Sequence, residues 1–257
     1  MEKVFDTYSA YYDLIYKDKN YEREADYVID LIRKYKPQAK ELIEFGSGTG
    51  KHAKIFNSKG YFVKGVEPSE SMLQIAQQQQ KEGLKFEKAS IESFSDDSEY
   101  DVALSLFHVI SYINDNKALL NAFKNINKHL KNDGLFIFDV WYTPAVLSQV
   151  PENRVKTVEN DLISVTRKAT PVIHWNENVI DVVYDVEIQS KVDEQISRLN
   201  ETHHMRHFGF PEIELLGLKE GFKILKAEEF QSGNIPGPDT WGVCFIMQKI
   251  TADAENG

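Results

Sequence analysis

The segment Glu44-Phe45-Gly46-Ser47-Gly48-Thr49-Gly50 limits what this chain can fold into more than any other. It follows the apolar pair Leu42-Ile43 and precedes a helix-like stretch at residues 51–58, so its glycines fall on one strand-to-helix turn. Glycine accepts positive φ and lets a ligand lie against the backbone. A second apolar run, residues 62–66, ends on Glu67, about twenty residues further on, where a carboxylate accepts both hydrogen bonds of a ribose diol. Turn and acid together form a nucleoside-binding arrangement; a tight turn without a ligand is the plainer reading.

The surrounding pattern extends this βαβ beginning. Residues 21–36 carry Ala25, Val28, Ile29, Ile32 and Tyr35 at helical spacing, closed by Pro37. Residue 69 begins a helix with Met72, Leu73 and Ala76 on one side, and residues 84–86, 101–106 and 135–140 read as further strands. An amphipathic helix is predicted at 117–130 and a turn at Asn132-Asp133-Gly134. Strands alternating with helices imply an α/β fold with a mainly parallel sheet and flanking helices. From residue 178 the pattern alternates strictly, Ile180, Val182, Tyr184, Val186 and Ile188 against Asp181, Asp185 and Glu187. With strand-like runs at 161–167 and 197–208 this predicts an antiparallel β insertion over one end of the sheet. A helix at 211–220 and strands at 222–230 and 242–249 complete it. The expected layout is one domain over 1–250, with an N-terminal helical lid at 1–36, the insertion at about 142–209 and a tail at 251–257.

Charge and cysteine count narrow the function. The chain has 257 residues and a formal net charge of -10, which argues against a broad nucleic-acid surface. Cys244 is the single cysteine, excluding an internal disulfide and a multi-cysteine zinc site. No apolar run is long enough for a membrane span and the N-terminus lacks a signal-peptide core, so a cytoplasmic location is expected.

The detail of the turn selects among nucleosides. A dinucleotide fingerprint places its third glycine one residue later, where Lys51 stands. Glu44, ahead of the first glycine, suits a ligand with a cationic amine and no pyrophosphate. Both favour S-adenosyl-L-methionine over NAD, leaving an NAD oxidoreductase as a rival.

At this point the chain resembles the class I S-adenosylmethionine-dependent methyltransferases, whose fold is Rossmann-like. The turn matches their first motif, and Pro68-Ser69-Glu70-Ser71-Met72-Leu73 resembles the segment after the ribose acid, where the Met lies against adenine. Tyr11-Tyr12-Asp13-Leu14-Ile15-Tyr16 and Tyr21-Glu22-Arg23-Glu24 resemble the N-terminal helix and lid of deoxyaminosugar N-methyltransferases. Segments beginning at Phe107, Phe138, Glu201 and Thr240 resemble bacterial methyltransferases of sugar and surface-glycan pathways. The resemblance implies a cofactor site of Tyr12, Glu44, Gly46, Ser47, Gly48, Glu67, Met72, Ser90, Ile91 and Phe107. Two departures stand out. Ser90 replaces the usual Asp at the adenine amino group, and Tyr112 aligns with the histidine considered as a base in the aminosugar enzymes.

For the reaction itself, His108 follows the fourth strand at the carboxyl edge and is either a general base or a packing residue beneath the cofactor. Tyr112 either orients the acceptor or merely starts a helical region. Trp141 and Tyr142 form either a sugar-stacking wall or a seam to the insertion. His203 and His207, on one strand face about 13 Å apart, cannot share an ion, so no metal is expected. On alternate positions, His204 and Arg206 face the substrate, with Arg206 on a phosphate or carboxylate, or in a surface ion pair. The reading is O-methylation of a small polar acceptor, a sugar or sugar nucleotide. N-methylation of a nucleotide-linked aminosugar is the runner-up. Behind both stand methylation of a phosphorylated glycan modifier and a non-catalytic binding protein of the same fold.

Overall fold

The computed structural model describes Tyr11 and residues 14–250. Helix α1 (Tyr21–Tyr35) starts where the Asn20 side chain accepts the Arg23 N–H, and it buries Ala25, Val28, Ile29, Leu31 and Ile32. The order then runs β1 (Glu41–Phe45), α2 (Lys51–Ser58), β2 (Phe62–Val66), α3 (Glu70–Gln77), β3 (Leu84–Glu87) and β4 (Tyr100–Ser105). A 3₁₀ turn at Val109–Tyr112 leads to α4 (Asn116–Lys128), β5 (Leu130–Tyr142) and α5 (Thr143–Ser148). Four strands follow, β6 (Arg154–Glu159), β7 (Ile163–His174), β8 (Val179–Ser190) and β9 (Ile196–Phe208). Helix α6 (Phe210–Lys219) and strands β10 (Phe222–Glu229) and β11 (Gly242–Lys249) close the fold.

The first five strands lie in the order β3-β2-β1-β4-β5 and are parallel, with β11 antiparallel on β5 and β10 on β11. Strands covered on both faces need apolar side chains throughout, and every residue of β4 is buried. Alternation sends Ile43, Phe45, Ala103, Phe136 and Phe138 into one core layer and Leu42, Val102, Leu104, Leu135 and Ile137 into the other. This is the Rossmann-like α/β fold that the alternating pattern implies. The expected turn at Asn132-Asp133-Gly134 is absorbed into β5, with Asp133 at φ 56 marking the irregularity.

Strands β6 to β9 form an antiparallel meander whose last strand meets β5 only at Trp141↔His207 and Tyr142↔Phe208. The even-numbered face of β8 turns inward, as its alternation implies, burying Ile180 and Val186. A smaller apolar cluster joins Tyr11 and Ile15 to Met72 of α3 and to Val158, Val165 and Val186 of the meander. The carboxyl edge of the parallel sheet is thereby roofed, leaving a cavity of about 330 Å³ between edge and meander.

Candidate active site

The floor of the cavity is made by backbone. Gly46 and Ser47 both donate to the Val66 carbonyl (2.8 and 3.1 Å), which folds the turn back over β2. Gly46 has φ 69, and a Cβ there would stand 2.6 Å from Val109. Gly48 has φ 55 and donates to Glu67 Oε2 at 2.8 Å; a Cβ at this position would meet only the Met72 sulfur, at 3.9 Å. Its open side therefore belongs to the cavity, where a ligand can approach the chain. Glu67 is 4% exposed, and its other oxygen accepts the Ser69 N–H at 2.8 Å. Two backbone donors fix the carboxylate at the edge of the cavity. Met72, Ser90, Ile91 and Phe107 line the same space.

Beneath the turn lies a buried polar chain. Lys19 Nζ is 2.7 Å from Glu24 Oε2, which is also 2.9 Å from His52 Nε2. Burial pushes the Glu24 carboxyl up, but His52 and Lys19 together hold it below its ordinary value, while burial lowers His52. An ionised Glu24 thus accepts from a neutral His52. The other ring nitrogen faces Glu44 Oε1 at 3.7 Å. Glu44 is 2% exposed, and its Oε2 has no hydrogen-bond partner among the described residues. Burial pushes its carboxyl up to about 8, with the Ala53 N–H opposing and the Glu67 charge adding. A fixed carboxylate, an open glycine and an orphaned carboxylate oxygen fit a nucleoside with a cationic amine, as in S-adenosylmethionine.

The opposite side is made by side chains. Phe107 and His108 both have positive φ (67 and 62) without being glycine. Asp139, 1% exposed on β5, accepts both of their N–H groups, at 2.7 and 3.2 Å, and so holds this strained pair. Its Oδ2 also stands 2.6 Å from His108 Nδ1, without the alignment of a hydrogen bond. Burial raises the Asp139 carboxyl, yet His108 and the backbone donors bring it below the ordinary value, so it is ionised. His108, its side chain 23% exposed, lines the cavity with Tyr112 and Trp141. Trp141 packs edge-on against Trp241 with ring centroids 5.8 Å apart. The meander contributes Val182 and Tyr184 from β8 and His203 and Met205 from β9.

Not every expected residue arrives here. Tyr12 lies outside the described residues. Tyr142 neighbours Trp141, but strand alternation sends it to the other face, against the core, so the sugar-wall reading is corrected to Trp141 alone. His204 and Arg206 are likewise corrected. The register Val182↔His203 and Asp181↔His204 puts odd residues of β9 inside and even ones outside. His204 Nδ1 contacts Asp181 Oδ1 at 2.5 Å on the outer face. Arg206 pairs with Glu212 at 2.5 Å and donates to the Asn114 carbonyl and to Asn116 Oδ1. Of the two readings for Arg206, the ion pair is the observed one. The residues that sequence reasoning missed are Lys19, Glu24, His52, Asp139, Tyr184 and His203. Asp139 had a signal, a carboxylate inside an otherwise apolar strand.

A family model described as "Methyltransferase domain" matches residues 18–178. A dTDP-3-amino-3,4,6-trideoxy-alpha-D-glucopyranose N,N-dimethyltransferase from Streptomyces venezuelae is 24% identical over 224 residues, 86% of this chain and 92% of the relative. Among solved structures, an S-adenosylmethionine-dependent methyltransferase from Clostridium acetobutylicum superposes with a TM-score of 0.79 at 20% identity, covering 95% of this chain and 98% of that one. An amino pentose methyltransferase from Micromonospora echinaspora, solved with S-adenosylmethionine bound, gives 0.77 at 19% identity over 95% and 96%. These structures share the fold. The chain belongs to the methyltransferase domain family, and it is an enzyme, a methyltransferase.

Proposed function

We propose that this methyltransferase uses S-adenosylmethionine to methylate the amino group of a nucleotide-linked deoxyaminosugar. The observation that carries this is that one cavity joins the nucleoside-type turn to an aromatic wall, Trp141 and Tyr184, contributed across β5 and the meander. An apolar, aromatic wall suits a sugar that has lost hydroxyls, because fewer polar groups need partners there. The aminosugar relative aligned over 86% of the chain supports an amine as the nucleophile. N-methylation thereby moves ahead of O-methylation.

S-adenosylmethionine, when bound, supplies an electrophilic methyl group. Glu67 and the Gly48 backbone would hold the ribose, Met72 with Ser90 and Ile91 the base, and Glu44 the amino group. The protein then has to hold the acceptor nitrogen in line, and such alignment lowers a barrier by about 7–11 kcal/mol at most. His108 supplies a proton acceptor. Asp139 beside Nδ1 favours the proton on that nitrogen, leaving Nε2 as the basic atom. It takes the proton that an ammonium acceptor must lose before its lone pair can attack.

The His108–Asp139 pair also keeps a second reading in play, a hydroxyl acceptor, because a hydroxyl gains more from a base during attack. Incubation with S-adenosylmethionine and dTDP-3-amino-3,4,6-trideoxy-alpha-D-glucopyranose, followed by mass spectrometry, is expected to show one and then two added methyl groups. Methylation only of hydroxyl analogues lacking the amine would replace this reading with the second.

A further inference from the structure

Thr240-Trp241-Gly242 brings the chain from the loop after β10 into β11, beside the cavity. Thr240, 4% exposed, closes a turn: its N–H donates to the Gly237 carbonyl at 3.1 Å and its hydroxyl accepts the Gly237 N–H at 3.0 Å. Trp241 follows, its indole N–H donated to Gln149 Oε1 at 2.7 Å. Gly242 then starts β11 opposite Trp141, and Cys244 stands opposite Asp139. Opposed residues of an antiparallel pair share a face, and so do residues two apart on one strand. Gly242, Trp141 and Asp139 therefore point to one side of the sheet, and the His108 ring stands on that side. Its Nδ1 is 2.6 Å from Asp139 Oδ2 and its centroid is 6.4 Å from that of Trp141. Its Cε1 is 3.3 Å from where a Cβ of residue 242 would be.

The backbone does not ask for glycine here, since Gly242 is not among the glycines at positive φ. Glycine inside a strand weakens it, and it marks places where another group comes close. What this position requires is space. A methyl group there would stand closer to Cε1 than ordinary van der Waals contact, so the ring would have to give by a few tenths of an ångström. It has no room towards Asp139, already 2.6 Å away. Its backbone is held as well, at φ 62 with the N–H donated to the same carboxylate at 3.2 Å. The open side is the cavity, where the side chain is 23% exposed. Cε1 is bonded to both ring nitrogens, so Nε2 moves with it.

We propose that Gly242 is a positioning residue: the side chain it lacks is the space in which the His108 imidazole stands against Asp139, and this sets where Nε2 meets the methyl acceptor. The proposal rests on the reading of His108 as the proton acceptor. Residue 242 touches neither cofactor nor acceptor in it and acts only through the ring.

Structure and kinetics test it separately. A crystal structure of Gly242→Ala is expected to show the His108 ring turned towards the cavity, with Nδ1 further from Asp139 Oδ2 than in the wild type. A ring in its wild-type place overturns the proposal. With S-adenosylmethionine and dTDP-3-amino-3,4,6-trideoxy-alpha-D-glucopyranose, a misplacement of about 1 Å can cost about 10²-fold, so a few tenths should lower kcat in Gly242→Ala by about 3- to 10-fold. The acceptor KM and S-adenosylhomocysteine affinity should stay within about twofold of the wild type. His108→Ala vacates the contested space, and in that background Gly242→Ala should change kcat by less than about twofold. Equal losses in both backgrounds overturn the proposal, because a strand disturbed for another reason suffers with or without the ring. If Gly242→Ala is too unstable to assay, its loss in Tm should disappear in the His108→Ala background, and a loss that persists there overturns the proposal. A wild-type enzyme idle on this amine refutes the substrate reading, and an unchanged kcat in His108→Ala refutes the proton-acceptor reading. In either case the crystal structure still decides whether residue 242 places the ring.

Discussion

The cavity has two unlike halves. The side under the glycine turn is defined by backbone, Gly46 and Gly48 at positive φ and a carboxylate, Glu67, held by two main-chain N–H groups. The side under the meander is defined by side chains whose partners lie far away in sequence, such as Tyr112 with His203 and His108 with Asp139. A backbone-built site tolerates little change in residue type, because only glycine fits the turn. A side-chain-built site can change its chemistry without changing the strands that carry it. The first half suits a constant ligand and the second a variable one.

The largest effect is expected where the halves are joined. Asp139 supports the backbone of Phe107, on the proposed cofactor side, and both the backbone and ring of His108, on the proposed acceptor side. Asp139→Ala leaves two partly buried N–H groups without their acceptor at strained residues, a loss of about 2–5 kcal/mol in stability. It should lower kcat/KM by about 10²–10⁴-fold as His108 loses its orientation. Denaturant midpoints and steady-state rates check this. A variant with normal stability and rate would mean the two halves are independent.

Next comes Glu67, the proposed ribose acid. Glu67→Ala removes the acceptor for the diol and for the Gly48 and Ser69 N–H groups, and should weaken S-adenosylhomocysteine by about 1–3 kcal/mol, or roughly 5- to 150-fold. Calorimetry reads it directly. Retained affinity would show that the ribose does not lie on β2.

The glycine-turn half was legible because its rules are local. Positive φ at a strand-to-helix turn demands glycine, and an acid ending the next apolar run needs no knowledge of distant contacts. The meander was legible only where hydrophobicity set its phase. On β8 the alternation of Ile180, Val182 and Tyr184 with Asp181 and Asp185 fixed which face was inside. On β9 the inward positions include Glu201 and His203 and the outward ones Thr202, His204 and Arg206, so polarity alternates with polarity and the phase is invisible. A one-residue ambiguity then exchanges His204 and Arg206 for His203 and Met205. Asp139 illustrates another limit. Its charge inside an apolar strand was readable, but its two acceptor bonds come from residues 31 and 32 positions away.

A smaller effect separates the halves by pH. Burial holds the free Glu44 carboxyl at about 8, so near neutral pH it carries a proton that a ligand ammonium would displace. Binding of S-adenosylhomocysteine should release up to one proton below pH 8. Affinity should rise with pH by at most about tenfold per unit and level off above 8. Calorimetry in two buffers of different ionisation enthalpy counts the proton, and Glu44→Gln should abolish the release. No release in the wild type would place the amino group elsewhere. The acceptor KM has no reason to follow this titration.

The smallest expected effect is the most direct check on the phase of β9. The side chain of His204 is 58% exposed and faces Asp181 outside the cavity. Exposed pairs contribute at most about 1 kcal/mol, so His204→Ala should cost no more than that in stability. Since the ring reaches neither half of the cavity, kcat, the acceptor KM and S-adenosylhomocysteine affinity should all stay within about twofold of the wild type. Met205→Ala, one residue on, removes an apolar contact from the acceptor wall and should raise the acceptor KM while sparing the cofactor. The contrast is needed because either result alone has a trivial explanation: a neutral surface site, or a destabilised strand. If His204→Ala raised KM and Met205→Ala did not, β9 would be shifted by one residue from the register Val182↔His203. His203 would then leave the cavity, and its 2.7 Å contact with the Tyr112 hydroxyl would be lost.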